Sequence, residues 1–351
     1  MRFFTNQHKY CCGIDLHANW MYVCIADSEG NICAHKNIRT NPETFLALIA
    51  PYREGLIVGV ECVFLWYWLA DLCAAEKIEF VLGHALYMRM IHGGKSKDDR
   101  LDSQKLSVML RGGVFPMAYV YPAEMRATRD VTRRRLFFVN KRAELMKHIG
   151  MTHQQYNVKF DGQLAGLKYK SNLDKFEIPF TDPSVRQMIE TELRLIESYN
   201  TEIRKLEWFI EKTARSDSKN AFDLALLQTI PGIGNVLATT ILYEIHTVER
   251  FETVQRFSSY ARLIKPKKTS DGKKAGSGGC KIGNQHLKWA FSEAGVLMLR
   301  QSEQAKKYMK RLERKYPKAK ALAVLDHKLG KTVYFMLLRK EGFDAGKFFA
   351  H

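Results

Sequence analysis

Tyr10-Cys11-Cys12-Gly13-Ile14-Asp15 is apolar up to a terminal acid, and Met21-Tyr22-Val23-Cys24-Ile25-Ala26 follows after a short polar break. Asp27-Ser28-Glu29-Gly30 then forms a turn, and residues 31–38 supply a third extended run. Connections this short join antiparallel neighbours, so the stretch predicts a meander of three strands. Outward from it, residues 42–51 have helical spacing, and Leu56-Ile57-Val58-Gly59-Val60 is a continuous apolar run ending at Glu61. A run without polar alternation reads as a strand of the buried type. Residues 66–76 return to helical spacing before a last strand at 79–82. The first 120 or so residues therefore predict a mixed α/β domain.

The character changes after residue 123. Residues 123–150 contain no internal Gly or Pro, and residues 125–148 carry eight Lys/Arg against two acids, which predicts a long basic helix. A polar, less regular stretch over 152–183 separates it from a second long helix. There Ile189, Leu193, Ile196, Tyr199, Ile203, Leu206 and Ile210 step by threes and fours, as a coiled-coil seam does. The two helices are expected to form an antiparallel stalk. Residues 216–351 read as a mostly helical third part. Within it Ile230-Pro231-Gly232-Ile233-Gly234 lies between two apolar helical stretches. That pattern suits either a helix-hairpin-helix, whose Gly232 and Gly234 let backbone N–H groups face a phosphate, or a plain turn between helices. Residues 262–288 carry eight Lys/Arg and one acid, and residues 270–283 hold five glycines, which predicts a mobile cationic loop.

The chain of 351 residues has 55 Lys+Arg against 37 Asp+Glu, a net charge of +18, with an otherwise ordinary globular composition. That excess points to a polyanionic partner, nucleic acid first. The candidate phosphate contacts are Arg126, Arg129, Arg133, Arg134 and Arg135, with Lys141 and Arg142, on the basic helix. Lys267, Lys268, Lys273, Lys274 and Lys281 are the candidates on the loop. The longest apolar run, residues 62–70, is nine residues, too short to span a membrane. The N-terminus lacks the apolar region of a signal peptide, so a cytoplasmic, nucleoid-associated protein is expected. Seven cysteines without a CxxC pair predict reduced thiols packed as small hydrophobes and no structural zinc.

Four acids fall at element ends: Asp15, Glu61, Asp99 and Asp102. Each has a local role available. Asp15 can end a strand, Glu61 can pair with a cation at a helix start, and the Asp98-Asp99-Arg100-Leu101-Asp102 stretch can cap a helix. Gathered at neighbouring strand ends, however, such carboxylates repel one another unless a divalent cation lies between them, and hard oxygen ligands suit Mg²⁺. Two such ions about 3.5–4 Å apart can serve an in-line phosphoryl transfer. His17, close to Asp15, reads either as a surface histidine or as a phosphate contact.

Gly13-Ile14-Asp15, Glu61 and Lys97-x-Asp99-x-x-Asp102 resemble the four-acid (DEDD) signature of the insertion sequence 110 family of transposases and the related pilin-gene invertases. Arg111-Gly112-Gly113, Tyr119-Val120-Tyr121-Pro122, the Ile230–Gly234 turn and Lys281-Ile282-Gly283-Asn284 extend the resemblance over nearly the whole chain. It implies an α/β plus α architecture. The parts are a RuvC-like (RNase H-type) domain over 1–122, a basic helix and coiled-coil stalk over 123–215, and a C-terminal transposase domain over 216–351. It further implies a recombinase that holds Mg²⁺ on Asp15, Glu61, Asp99 and Asp102 and attacks DNA with a serine. Ser270 best matches that position and Ser277 is the reserve. The implied partners are a structured non-coding guide RNA (the bridge RNA), double-stranded donor and target DNA, and further copies of the chain, a dimer or tetramer with composite active sites. Beside the resemblance stand two other readings, a metal-dependent nuclease such as a junction resolvase with water as nucleophile, and a non-catalytic nucleic-acid-binding protein.

Overall fold

The computed structural model describes residues 2–91, 98–159, 164–265, 269–270, 273–274 and 282–350, with backbone alone at 89–91, 269–270 and 273–274. The chain divides into two compact units, Met1–Ala123 and Glu124–His351.

In the first unit the elements run β1 (Phe3–Phe4), β2 (Tyr10–Leu16), β3 (Trp20–Asp27), β4 (Ile32–Arg39), α1 (Pro42–Ile49), β5 (Leu56–Glu61), α2 (Trp66–Ala75), β6 (Glu79–Gly83), α3 (Ala85–Ile91), α4 (Asp99–Arg111) and β7 (Phe115–Pro116). Among the described residues the main sheet has five strands in the order β4-β3-β2-β5-β6. β2 and β3 pair antiparallel, as do β3 and β4, whereas β5 lies parallel to both β2 and β6. The antiparallel meander and the two later strands expected from the sequence are both present, and the later strands pair parallel. Asp27 closes the hairpin by accepting the backbone N–H groups of Glu29, Gly30 and Asn31 at 2.8–3.0 Å, and Gly30 adopts φ +99°, which a side chain would strain.

Both sheet faces are covered. Cys12, Ile14, Val58 and Val60 join Phe45 and Ile49 of α1 and Trp66 and Leu69 of α2 in one buried cluster. On the other face α4 lies almost against the backbone. Gly13 and Gly59 are register partners on β2 and β5. A Cβ on Gly13 would come 2.3 Å from the Ser107 nitrogen, and one on Gly59 would come 2.7 Å from the Leu110 Cδ1. The Ser107 hydroxyl donates to the Cys11 carbonyl at 2.8 Å. Two glycines on the sheet and the small Ser103 and Ser107 on the helix thus set how closely α4 approaches. The buried thiols behave as expected of small hydrophobes: burial pushes Cys11 and Cys24 up to about 11 and Cys73 to about 12, so they stay protonated.

The second unit opens with α5 (Ala123–Gln155), α6 (Lys170–Leu173) and α7 (Pro183–Ser216). Arg135 meets Glu207, Arg142 meets Asn200 and His148 meets Glu192, so α5 and α7 run antiparallel as a stalk. Ile189, Ile196, Ile203 and Ile210, one per heptad, are the buried residues of its seam. Next come α8 (Ser218–Gln228), α9 (Asn235–Ile245), α10 (Val254–Tyr260), β8 (Thr269–Ser270), β9 (Lys273–Lys274), α11 (Gln285–Gln301), α12 (Glu303–Glu313), α13 (Lys318–Arg339) and α14 (Ala345–Phe349). α9 is the centre of this part, buried at every position from Leu237 to Ile245, and Phe291, Met298, Leu325, Leu329 and Val333 of α11 and α13 share its cluster. Stalk and helical part fall in one compact unit, and Arg129 and Arg133 of α5 form ion pairs with Glu244 of α9. No helix among the described residues is long and apolar enough to cross a membrane.

Candidate functional site

The parallel register explains how acids far apart in sequence become neighbours. Ile14 of β2 pairs with Val60 of β5, so Asp15 and Glu61, one residue further on, end adjacent strands on the face that carries Gly13, Gly59 and α4. α4 begins at that same end. Asp98 caps it by accepting the Arg100 N–H at 3.0 Å, which leaves Asp99 and Asp102 in the first turn. The carboxylates of Asp15 and Asp99 and the ring of His17 offer ligand atoms that all lie within 4.8 Å of one another. His17 Nε2 is 3.4 Å from Asp15 Oδ2 and 3.6 Å from Asp99 Oδ2. Asp102, one helical step on, accepts from Lys105 Nζ at 2.9 Å. Glu61 stands beside Asp15 in register but is not part of the tight cluster.

The electrostatics of this end agree with a cation site. Burial raises the pKa of Asp15 above its ordinary value; His17 works against that, and the charges of Asp99 and Asp102 add to it. A carboxylate made uncomfortable by its acidic neighbours is one that a divalent cation relieves, and the oxygen donors are of the hard type that Mg²⁺ or Mn²⁺ takes. His17, left open in the sequence, takes a place between two of the acids.

The basic helix is used differently from expectation. Arg129 Nε donates to Glu244 Oε2 at 3.0 Å, and Arg133 donates through Nε to Oε1 at 2.6 Å and through Nη2 to Oε2 at 2.9 Å. Arg126 is 4% exposed, and Arg135 is paired with Glu207. Arg129 and Arg133 thus turn to the buried Glu244 of α9, and Arg135 to the partly exposed Glu207 of α7. Arg142 is turned to Asn200 Oδ1 at 2.7 Å, Lys141 pairs with Glu144 at 2.8 Å, and Arg134 remains exposed.

Gly232 is likewise committed internally. Its φ is +92°, a Cβ there would come 2.5 Å from the Met298 nitrogen, and its N–H donates to Gln301 Oε1 at 2.7 Å, so it lets the turn pack closely against α11. Gly234 caps α9 in open space, but the neighbouring Asn235 donates to Glu211 Oε2 at 2.5 Å, which brings a carboxylate to that helix start. The expected cationic loop contains a small ribbon in which Ser270 pairs with Lys273 and Thr269 with Lys274. Lys267, Lys268, Lys281 and Ser277 lie outside the described residues. The end of the loop is anchored: Asn284 caps α11 with its Oδ1 and donates through Nδ2 to Glu244 Oε2 at 2.7 Å.

Residues 12–157, which hold the whole acidic cluster, match the family model of the DEDD transposases of the IS110 type. Residues 224–310 match a second model, described as Transposase IS116/IS110/IS902 family. With both models matched in order on one chain, the protein belongs to the IS110 family of DEDD transposases. No curated protein matches the chain. Membership makes this a transposase or recombinase that binds DNA and uses a divalent metal, and the cluster of Asp15, His17 and Asp99 is a place in the first unit suited to hold one.

Proposed function

We propose that this transposase is a site-specific recombinase that cuts and rejoins DNA through a covalent serine–DNA intermediate and takes its target from a bridge RNA. The observation that carries the reading is the convergence of Asp15 and Asp99, with Asp102 and Glu61 close by, at one end of the five-stranded β4-β3-β2-β5-β6 sheet, and in this reading that sheet belongs to a RuvC-like, RNase H-type domain. Asp15, Glu61, Asp99 and Asp102 are the Mg²⁺ ligands in this reading. Bound there, the metal would polarise the phosphodiester as a Lewis acid and lower the pKa of an attacking hydroxyl. The carboxylates fix that chemistry in space, and His17 offers a hydrogen bond to Asp15 or to a phosphate oxygen. Ser270, in the β8–β9 ribbon flanked by lysines, provides the hydroxyl. Its Oγ forms a bond to phosphorus as one P–O bond of the strand breaks, and a free DNA hydroxyl later attacks the same phosphorus and releases the serine. Because acids and serine belong to different units, the active site is composite and assembles from copies of the chain in a dimer or tetramer.

Double-stranded donor and target DNA lie against Arg134, Lys141 and the loop lysines, contacts that position a backbone without reading bases. Sequence choice then falls to the RNA, as in other RNA-guided systems. The test is a two-plasmid recombination assay with purified protein. Joined products are expected only with Mg²⁺ and RNA present, and rewriting the guide segment is expected to move the junction to the newly matched site. Efficient recombination at one fixed sequence without RNA would remove the guide from the account. Strand breaks without any joined product would favour a nuclease.

A further inference from the structure

A cleft of about 330 Å³ opens beside the stalk, between α5, α7 and the short segment that holds α6. That is at the lower end of the size of small-ligand sites, roughly 300–1,000 Å³. Its charge is one-sided. With Arg135 taken by Glu207, the remaining charged groups lining it are Arg142, Arg204, Lys168 and Lys170 against the single acid Glu197.

Arg142 is the telling residue. Its Nη1 donates to Asn200 at 2.7 Å, while its Nε is fully buried and meets no acceptor among the described residues. A cation held so, with burial and the charge of Arg135 both opposing its protonated form, gains from an anion placed against it. Arg204 is held beside it by a 3.2 Å bond from its Nε to the Asn200 carbonyl. At the rim Tyr169 is 57% exposed, and Lys168 Nζ lies 5.0 Å from its ring centroid. An exposed ring in one cleft with guanidinium groups that have no carboxylate partner among the described residues is the combination that receives a base and its phosphate together.

We propose that this cleft binds one unpaired nucleotide of a single strand, its phosphate against Arg142 and Arg204 and its base stacked on Tyr169. A paired base is already stacked within its helix and has no free face for the tyrosine, so a duplex is not the ligand. The site is independent of the chemistry at the acids and would exist whether or not the protein recombines DNA. The strand has two possible sources, a loop of RNA or a displaced DNA strand.

The test measures anisotropy of labelled oligonucleotides of one sequence, as single-stranded RNA, single-stranded DNA and duplex DNA, against the full chain. Tyr169→Ala should weaken single-strand binding about tenfold, as loss of one stacked base does. Tyr169→Phe should retain it, and duplex affinity should stay within about twofold, since phosphate contacts elsewhere carry it. Arg142→Gln should weaken single strands and flatten their salt dependence, with a thermal melt showing that the stalk is intact. Tighter RNA than DNA, with the tyrosine effect confined to RNA, would assign the site to RNA, and the converse to DNA. Tyr169→Ala that binds single strands like the parent, or that weakens duplex equally, would overturn the proposal.

Discussion

Asp15→Asn is expected to lower strand cleavage in Mg²⁺ by about 10³-fold or more, the scale of several kcal/mol that a catalytic metal contributes to a phosphoryl transfer. The substitution keeps the shape of the side chain and removes the charge that the cation needs. Its effect on folding has the other sign. Because burial and the charges of Asp99 and Asp102 raise the pKa of Asp15, ionising it costs the folded protein stability, and that cost appears as pH rises through the raised value. At neutral pH, in EDTA, the Asn variant should therefore melt at or above the parent temperature. In Mg²⁺ the parent should gain and the variant should not, since ligand binding stabilises only the state that binds. Parallel cleavage assays and melts check both arms, and a variant that cleaves within tenfold of the parent would take Asp15 out of the metal site.

The second large effect concerns stability. Glu244 has a side chain 1% exposed on α9 and is held by Arg129, Arg133 and the Asn284 amide. Burial pushes its pKa up, but the hydrogen bonds from Arg133 and Asn284 and the charges of both arginines outweigh it and bring the group down to about 2. Glu244→Ala removes the buried carboxylate that both guanidinium groups face, a change that costs about 3–5 kcal/mol. Glu244→Gln, which keeps an acceptor, should lose less. Since the folded pKa is depressed below the ordinary 4.5, the stabilisation is complete above that value and is lost as pH falls from there towards 2. At about 1.4 kcal/mol per pKa unit the loss is on the order of 3 kcal/mol. Urea denaturation between pH 6 and pH 2, marked at roughly unit intervals, should show the parent falling through this window and the Gln variant starting lower but falling less. A Gln variant with the parent's full acid dependence would mean that another group carries it.

The strands over residues 10–39 were legible because short turns leave no choice of partner, and β5 was legible because its apolar run demands cover on two faces. The nearness of Asp15 to Asp99 was legible only through family resemblance. It depends on the parallel register of Ile14 with Val60 and on Gly13 and Gly59 admitting α4, none of which spacing alone encodes. His17 has no single reading in the sequence because a histidine after a strand has many possible uses. On the basic helix a charge count carries no direction. A signal was present: Arg126, Arg129 and Arg133 step by three and four, as an inward stripe does, and Glu244 is the acid within the apolar helix that receives two of them.

The claim on which the functional account rests is that DNA becomes bonded to the protein at a serine while the acids are loaded with metal. The most direct measurement is to stop a reaction of the full chain with Mg²⁺, DNA and RNA under denaturing conditions and digest the product. Mass spectrometry then identifies the peptide that carries nucleotide. The account predicts a nucleotide-modified peptide at Ser270, absent in Ser270→Ala and in Asp15→Asn and retained in Ser277→Ala. Attachment at Ser277 or at a tyrosine, or cleaved DNA with no protein attached, would contradict it.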